Sequence, residues 1–220
     1  MSEGRLVIGN RRYSSWSLRG WLAVRLAGLD VDVELIPFSR PGPTEAIARA
    51  SPNGLVPYLE HRGARVWESL SVCEYCAEIE PRLWPVDRVA RAYARSIAAE
   101  MHAGFRGLRQ AMWMNLGRTF AGLGRTPEAL ADVARIEALW AEARDRFGNG
   151  GPFLFGSAMG VADAMYAPVV TRFLGWQPPI TATTQAYCDA VRAHPLVAAW
   201  HDAAAAEPDD WLLPDYETAG

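Results

Sequence analysis

The sequence predicts an α+β fold, with a β-α-β-α-β-β-α unit over residues 1–80 followed by an all-helical domain over residues 88–220. Three observations predict it. Short apolar runs alternate with helix-length stretches through residues 1–80; Glu80-Pro81-Arg82-Leu83-Trp84-Pro85 places two prolines between helical patterns; and beyond Val86 nearly every segment carries helical periodicity. Residues 81–87 therefore read as a linker. Half of the 220 residues are apolar, enough to bury a substantial core without disulfide staples.

Taken in order, residues 6–8 form a first strand, and residues 17–26 a helix closed by Gly28. Val31, Val33 and Leu35 alternate along a second strand at 31–37. Pro41-Gly42-Pro43 breaks the chain before a short helix at 44–50. Residues 56–60 and 65–67 read as a hairpin turning at Arg62-Gly63, with a helix following over 69–79. This is a thioredoxin-like order. In the second half one long helix is predicted over 87–116 and another over 127–147, where Pro127 takes the first-turn position that suits proline. Further helices start near Gly160, Thr183 and Leu196.

Charge and composition exclude several function classes. A formal charge of −3 and a pI near 5.8 argue against general affinity for nucleic acid or for an anionic membrane surface. No residue is lysine, which excludes Schiff-base chemistry and a P-loop nucleotide site. The first residues lack a signal-peptide pattern, and no apolar run approaches the ~20 residues of a membrane span, so a cytoplasmic protein is expected. Cys73, Cys76 and Cys188 are too few for a disulfide framework. Cys73 and Cys76 have redox-motif spacing but fall inside a helix rather than at its start, which favours a structural role. His61, His102, His194 and His201 show no ligand spacing with the cysteines, so no metal is expected.

The chemistry concentrates at three helix and strand starts. Ser14 and Ser15, in Arg12-Tyr13-Ser14-Ser15-Trp16-Ser17-Leu18-Arg19, stand where the first strand gives way to a helix. The unpaired N–H groups and the dipole there favour an anionic sulfur or phosphate, although a serine in that place is more often only an N-cap. Ser51-Pro52-Asn53-Gly54-Leu55-Val56-Pro57 ends in a proline entering a strand, a setting for a cis bond that would turn the Val56 backbone toward a cleft. Glu68-Ser69 opens the next helix and offers a carboxylate for an amine and a helix N-terminus for a carboxylate, a pair that suits an α-amino acid head group.

With these motifs, together with Phe153-Leu154-Phe155-Gly156 and Gly160-Val161-Ala162-Asp163, the chain resembles the cytosolic glutathione transferase family over nearly its whole length. The resemblance implies a co-substrate, glutathione, with its thiolate held by Ser14 or Ser15, its backbone paired with Val56 before Pro57, and its γ-glutamyl end on Glu68 and Ser69, with Trp16 and Leu55 beside it. It implies conjugation to a small apolar electrophile, and a homodimer. Near the end of the first strand, where the family's tyrosine-using classes carry that residue, this sequence has Val7-Ile8-Gly9, so the chain resembles a bacterial, serine-type member. Its loop is most similar to the zeta class, in which the fold supports maleylacetoacetate isomerisation, but Trp16 and Leu55 depart from that pattern. A glutathione-dependent isomerase and a non-catalytic glutathione-binding protein remain the alternatives.

His102, Phe105 and Arg109 lie at i, i+3 and i+7 of the predicted long helix, and with Trp113 they could wall an electrophile pocket or form an ordinary core stripe. Arg40 could meet the glycyl carboxylate of glutathione or stay solvated. Gly160 cannot supply a capping hydroxyl, but Asp163 can reach back to an orphan N–H, a folding role.

Overall fold

The computed structural model describes residues 2–38 and 44–219. Arg40, one of the predicted glutathione contacts, lies outside the described residues. In the N-terminal half, β1 (Gly4–Ile8), α1 (Ser15–Leu26), β2 (Asp32–Leu35), α2 (Glu45–Ala50), β3 (Tyr58–His61), β4 (Ala64–Trp67) and α3 (Ser69–Ile79) follow the predicted order. The strands form one mixed sheet in the order β2-β1-β3-β4, with β1 parallel to β2 and β3 antiparallel to both β1 and β4. That is a thioredoxin-like sheet. Leu6 pairs with Val33 on one side and Leu59 on the other, and the buried side chains Leu6, Ile8 and Leu59 join Leu18, Leu22 and Val72 of α1 and α3 in one core. The hairpin turns at Arg62 and Gly63, both at positive φ.

The helical half contains α4 (Arg88–Ala103), α5 (Arg106–Ala111), α6 (Pro127–Phe147), α7 (Val161–Trp176), α8 (Ala182–Ala193), α9 (Pro195–Ala205) and α10 (Pro214–Glu217). α7 is buried on nearly every side and packs against α1, α3, α4 and α8, so the two halves share a continuous core. No helix among the described residues is long and apolar enough to cross a membrane.

The long helix predicted over 87–116 is the main correction. It ends at Gly104, whose N–H closes on the Glu100 carbonyl, and Phe105 turns the chain at φ +56 before α5 begins. Beyond Ala111 the backbone takes partners outside any helix: the Leu116 N–H donates to the Arg12 carbonyl and the Phe120 N–H to the Gly175 carbonyl. Asn115 donates to the Tyr216 carbonyl and to the Glu217 carboxylate, tying this segment to the C-terminus. Tertiary partners therefore override helical periodicity here.

Gly20 shows how α1 positions the proline turn. A Cβ at this position would come within 2.8 Å and 2.9 Å of the Pro57 ring, with no flexible side chain to yield. Gly20→Ala is expected to destabilise the fold by about 1–3 kcal/mol through overpacking, despite the better helix propensity of alanine. A thermal melt measures this, and an unchanged midpoint would mean that α1 and Pro57 are not in firm contact.

Candidate active site

Ser14 is the N-cap of α1. Its Oγ accepts from the Ser17 N–H at 3.2 Å and lies 2.7 Å from Ser17 Oγ, which accepts from the Gly9 N–H at 3.0 Å. The hydroxyl–hydroxyl bond can run either way because both rotors turn freely. When Ser17 donates to Ser14, the Ser14 proton is free to point elsewhere. Ser17 is fully buried, and its part in orienting Ser14 escaped the sequence reading, although the i, i+3 spacing of the two serines was its signal.

Ser14 opens onto a cavity of about 300 Å³ lined by Trp16, Leu55, Val56, Pro57, Glu68 and Ser69, with Phe38, Ile47, Asn53 and Gly54 completing the wall. Residues from three separate sequence motifs therefore converge here. The Val56–Pro57 peptide is cis. Glu68, the residue that precedes α3, sits at φ +68, a costly conformation for a side-chain-bearing residue. Its carboxylate accepts from Asn53 Nδ2 at 3.4 Å and lies 3.8 Å from His102 Nε2. Ser69, the first residue of α3, is 1% exposed, and its Oγ has no hydrogen-bond partner. A buried, unpartnered hydroxyl at the start of an eleven-residue helix is suited to an anion.

A second cavity, of about 380 Å³, shares Ser14, Trp16 and Phe38 with the first and continues toward the helical half. Ser15, Arg109 and Trp113 line it, with Tyr13, Met114, Arg172 and Tyr216. His102 and Phe105 are not among its lining residues. The break at Gly104 removes the single helical face that grouped them with Arg109, and Phe105 is 7% exposed in the hydrophobic core. His102 instead sets its ring edge-on to Trp16 at 5.4 Å. Burial lowers its pKa, which favours the neutral ring at pH 7.

Trp16 is held between the two cavities by charge as well as by packing. The Arg19 guanidinium lies 4.4 Å from the centre of its ring and that of Arg109 lies 5.3 Å from it. Arg19 is completely buried, with Nε donating to the Met165 carbonyl at 2.8 Å. Arg19 belongs to the loop motif, but nothing in the sequence around it signals this role.

Tyr13 is occupied elsewhere. Its hydroxyl donates to Glu217 at 2.5 Å and accepts from the Leu213 N–H at 3.2 Å, and burial with the Glu217 bond pushes its pKa up to about 12. Cys73 and Cys76 are buried free thiols inside α3, and burial raises both, Cys76 to about 12, so neither ionises near neutral pH. Among the described residues, no group of three or more His, Cys, Asp or Glu side chains is arranged to hold a metal ion.

Two family models match the chain, the glutathione S-transferase N-terminal domain over residues 13–79 and the glutathione S-transferase C-terminal domain over residues 90–203. The chain belongs to the glutathione S-transferase family. No curated protein matches it significantly. Among solved structures, a glutathione transferase homolog from Burkholderia with bound glutathione is 19% identical, with a TM-score of 0.70 over 94% of this chain and 100% of that one. The theta class glutathione S-transferase from Xanthomonas axonopodis pv. citri, also with glutathione bound, is 21% identical, with a TM-score of 0.66 over 90% of this chain and 97% of that one. The tau class glutathione S-transferase from mango is 18% identical at a TM-score of 0.67, covering 90% of this chain and 92% of that one. At these identities the neighbours establish the shared fold.

Proposed function

We propose that this glutathione S-transferase is a serine-type member that adds the glutathione thiolate to an electrophile held in the cavity beside Trp113. The observation that carries the reading is the position of Ser14, at the wall common to both cavities. In this reading the γ-glutamyl ammonium meets Glu68, its carboxylate meets the start of α3 and the unpartnered Ser69 hydroxyl, and the tripeptide backbone runs past Val56. The cysteinyl sulfur then reaches Ser14. An ordinary thiol, with a pKa of about 8.5, is mostly protonated at pH 7, so the hydroxyl and the N-terminus of α1 serve to stabilise the thiolate. Glutathione-bound neighbours of the same fold support the choice of co-substrate. Three free, buried cysteines support a reducing, cytoplasmic setting. The exposed apolar side chains Trp67, Ile79, Val86 and Val89 support a homodimer, which sedimentation velocity tests.

Calorimetry on Glu68→Ala and Ser69→Ala tests the placement of glutathione. Each variant removes a hydrogen bond to a charged group and should weaken binding by about tenfold. Wild-type affinity in both would refute it.

A further inference from the structure

The second cavity contains an electrostatic feature that an apolar electrophile does not explain. Arg172, on α7, is only 4% exposed, lines this cavity, and donates from Nη1 to the Pro168 carbonyl at 3.0 Å, while its Nε has no partner. Arg109 lines the same cavity from α5 and has an unpartnered Nη1. Arg19 lies close enough to both for mutual repulsion, and its two terminal nitrogens are also unpartnered. Burial first, and the neighbouring guanidinium groups second, lower the pKa values of Arg19 and Arg172 to about 9, so both remain charged at pH 7. Among the described residues, no carboxylate forms an ion pair with Arg172 or Arg109, and Asp132, which acts on Arg109 through charge alone, does not satisfy its Nη1. Buried guanidinium N–H groups without an acceptor are costly in a finished core, and they are useful where a ligand supplies the acceptor.

We propose that the second substrate is an electrophile bearing a carboxylate or similar acid group, bound by Arg172 and Arg109 while its apolar body rests against Trp113 and Trp16. The inference rests on the conjugation reading and adds the substrate class. Arg172 comes from the helical half and Ser14 from the thioredoxin-like half, so an acid on Arg172 directs the reactive carbon toward the thiolate across the shared wall. Tyr216 closes the same cavity from the C-terminal segment, held by the bonds that its carbonyl accepts from Trp113 and Asn115. This segment gives the acid site one wall, and the low polarity of the surrounding rings strengthens the charge–charge attraction.

A matched pair of probes tests the proposal: 4-chloro-3,5-dinitrobenzoate and its neutral methyl ester. With either probe the glutathione thiolate forms a C–S bond at the chlorine-bearing carbon, and the C–Cl bond breaks with its electron pair leaving as chloride. Each kcat/KM is divided by the uncatalysed rate of the same probe with glutathione, because the para ester activates the ring more than the carboxylate does. On that scale the wild type is expected to favour the acid by about tenfold or more, the value of a charge-assisted pair of hydrogen bonds, and both Arg109→Met and Arg172→Met should collapse that ratio. Equal use of acid and ester by the wild type, or an unchanged ratio in the variants, would overturn the proposal. Arg172 is buried, so Arg109→Met decides the matter if Arg172→Met melts below the assay temperature.

Calorimetry with 3,5-dinitrobenzoate against 1,3-dinitrobenzene, neither carrying the chloride leaving group, reads the acid site independently of turnover. Preferential binding of the acid, lost in Arg109→Met, supports the site even if conjugation is absent, an outcome that would count against the functional reading alone. Loss of glutathione affinity in the arginine variants would assign these groups to a carboxylate of the tripeptide and overturn the proposal.

Discussion

Ser14→Ala should raise the thiol pKa of bound glutathione by about one to two units and lower the conjugation rate at neutral pH by about tenfold to a hundredfold. The sign follows from the species stabilised: a hydroxyl that donates to the thiolate lowers the thiol pKa, so its removal raises it. The rate deficit is therefore largest below the wild-type thiol pKa and shrinks as the pH rises through the higher value of the variant. Ser14 also caps α1, so the same substitution should cost about 1 kcal/mol of stability and a few degrees in Tm. The two effects separate by measurement, because cap loss moves the melt while thiolate loss moves the ultraviolet thiolate titration and the pH–rate profile. Ser15 is the first residue of α1 and lines the second cavity but not the first, and Ser15→Ala is the comparison. A shifted titration in Ser15→Ala instead would give the role to that hydroxyl. If neither variant moves it, the backbone N–H groups at the start of α1 hold the sulfur, since the Tyr13 hydroxyl is committed to Glu217 and Leu213.

The sequence shows the fold most clearly where local chemistry and tertiary packing agree. The helices at Ser69–Ile79 and Pro127–Phe147 have the predicted bounds because apolar period, flanking turns and, for the second, an N-terminal proline all select them. The turn at Gly104 and Phe105 was not legible, because a bulky aromatic residue at positive φ carries no local signal and is held there by burial of its own ring. Ser14, Trp16, Leu55 to Pro57, Glu68 and Ser69 could be read as motifs, yet their convergence on one cavity depends on sheet order and on Gly20 lying against Pro57. Arg172 was invisible for a different reason. It is the one basic residue of a largely apolar helix, and its place near Ser14 depends on how α7 packs on α1, a long-range contact with no counterpart in sequence spacing.

Asp163→Ala is expected to destabilise the fold by about 3–5 kcal/mol, which lowers Tm by roughly 10 °C in a chain of this length. A capping residue alone is worth about 0.5–2 kcal/mol, and a single bond back to the start of the helix is all that the sequence around Gly160 implies. The structure gives the side chain three donors. Gly160 N–H donates to Oδ2 at 3.0 Å, Leu154 N–H to Oδ1 at 3.1 Å, and the Tyr187 hydroxyl to Oδ1 at 3.0 Å. One carboxylate, 1% exposed, thus joins the start of α7 to the preceding loop and to α8. Burial pushes its pKa above the ordinary carboxylate value although all three donors pull the other way. Alanine leaves the Leu154 N–H and the Tyr187 hydroxyl buried without an acceptor and the Gly160 N–H half-buried without one, and the desolvation penalties that follow exceed the value of the lost bonds themselves. Asp163→Asn, which keeps one acceptor oxygen, should recover part of the loss. Chemical and thermal unfolding of the three proteins measures the ordering, with kcat in the folded fraction close to wild type. A normal melt with collapsed turnover would instead place Asp163 in the chemistry.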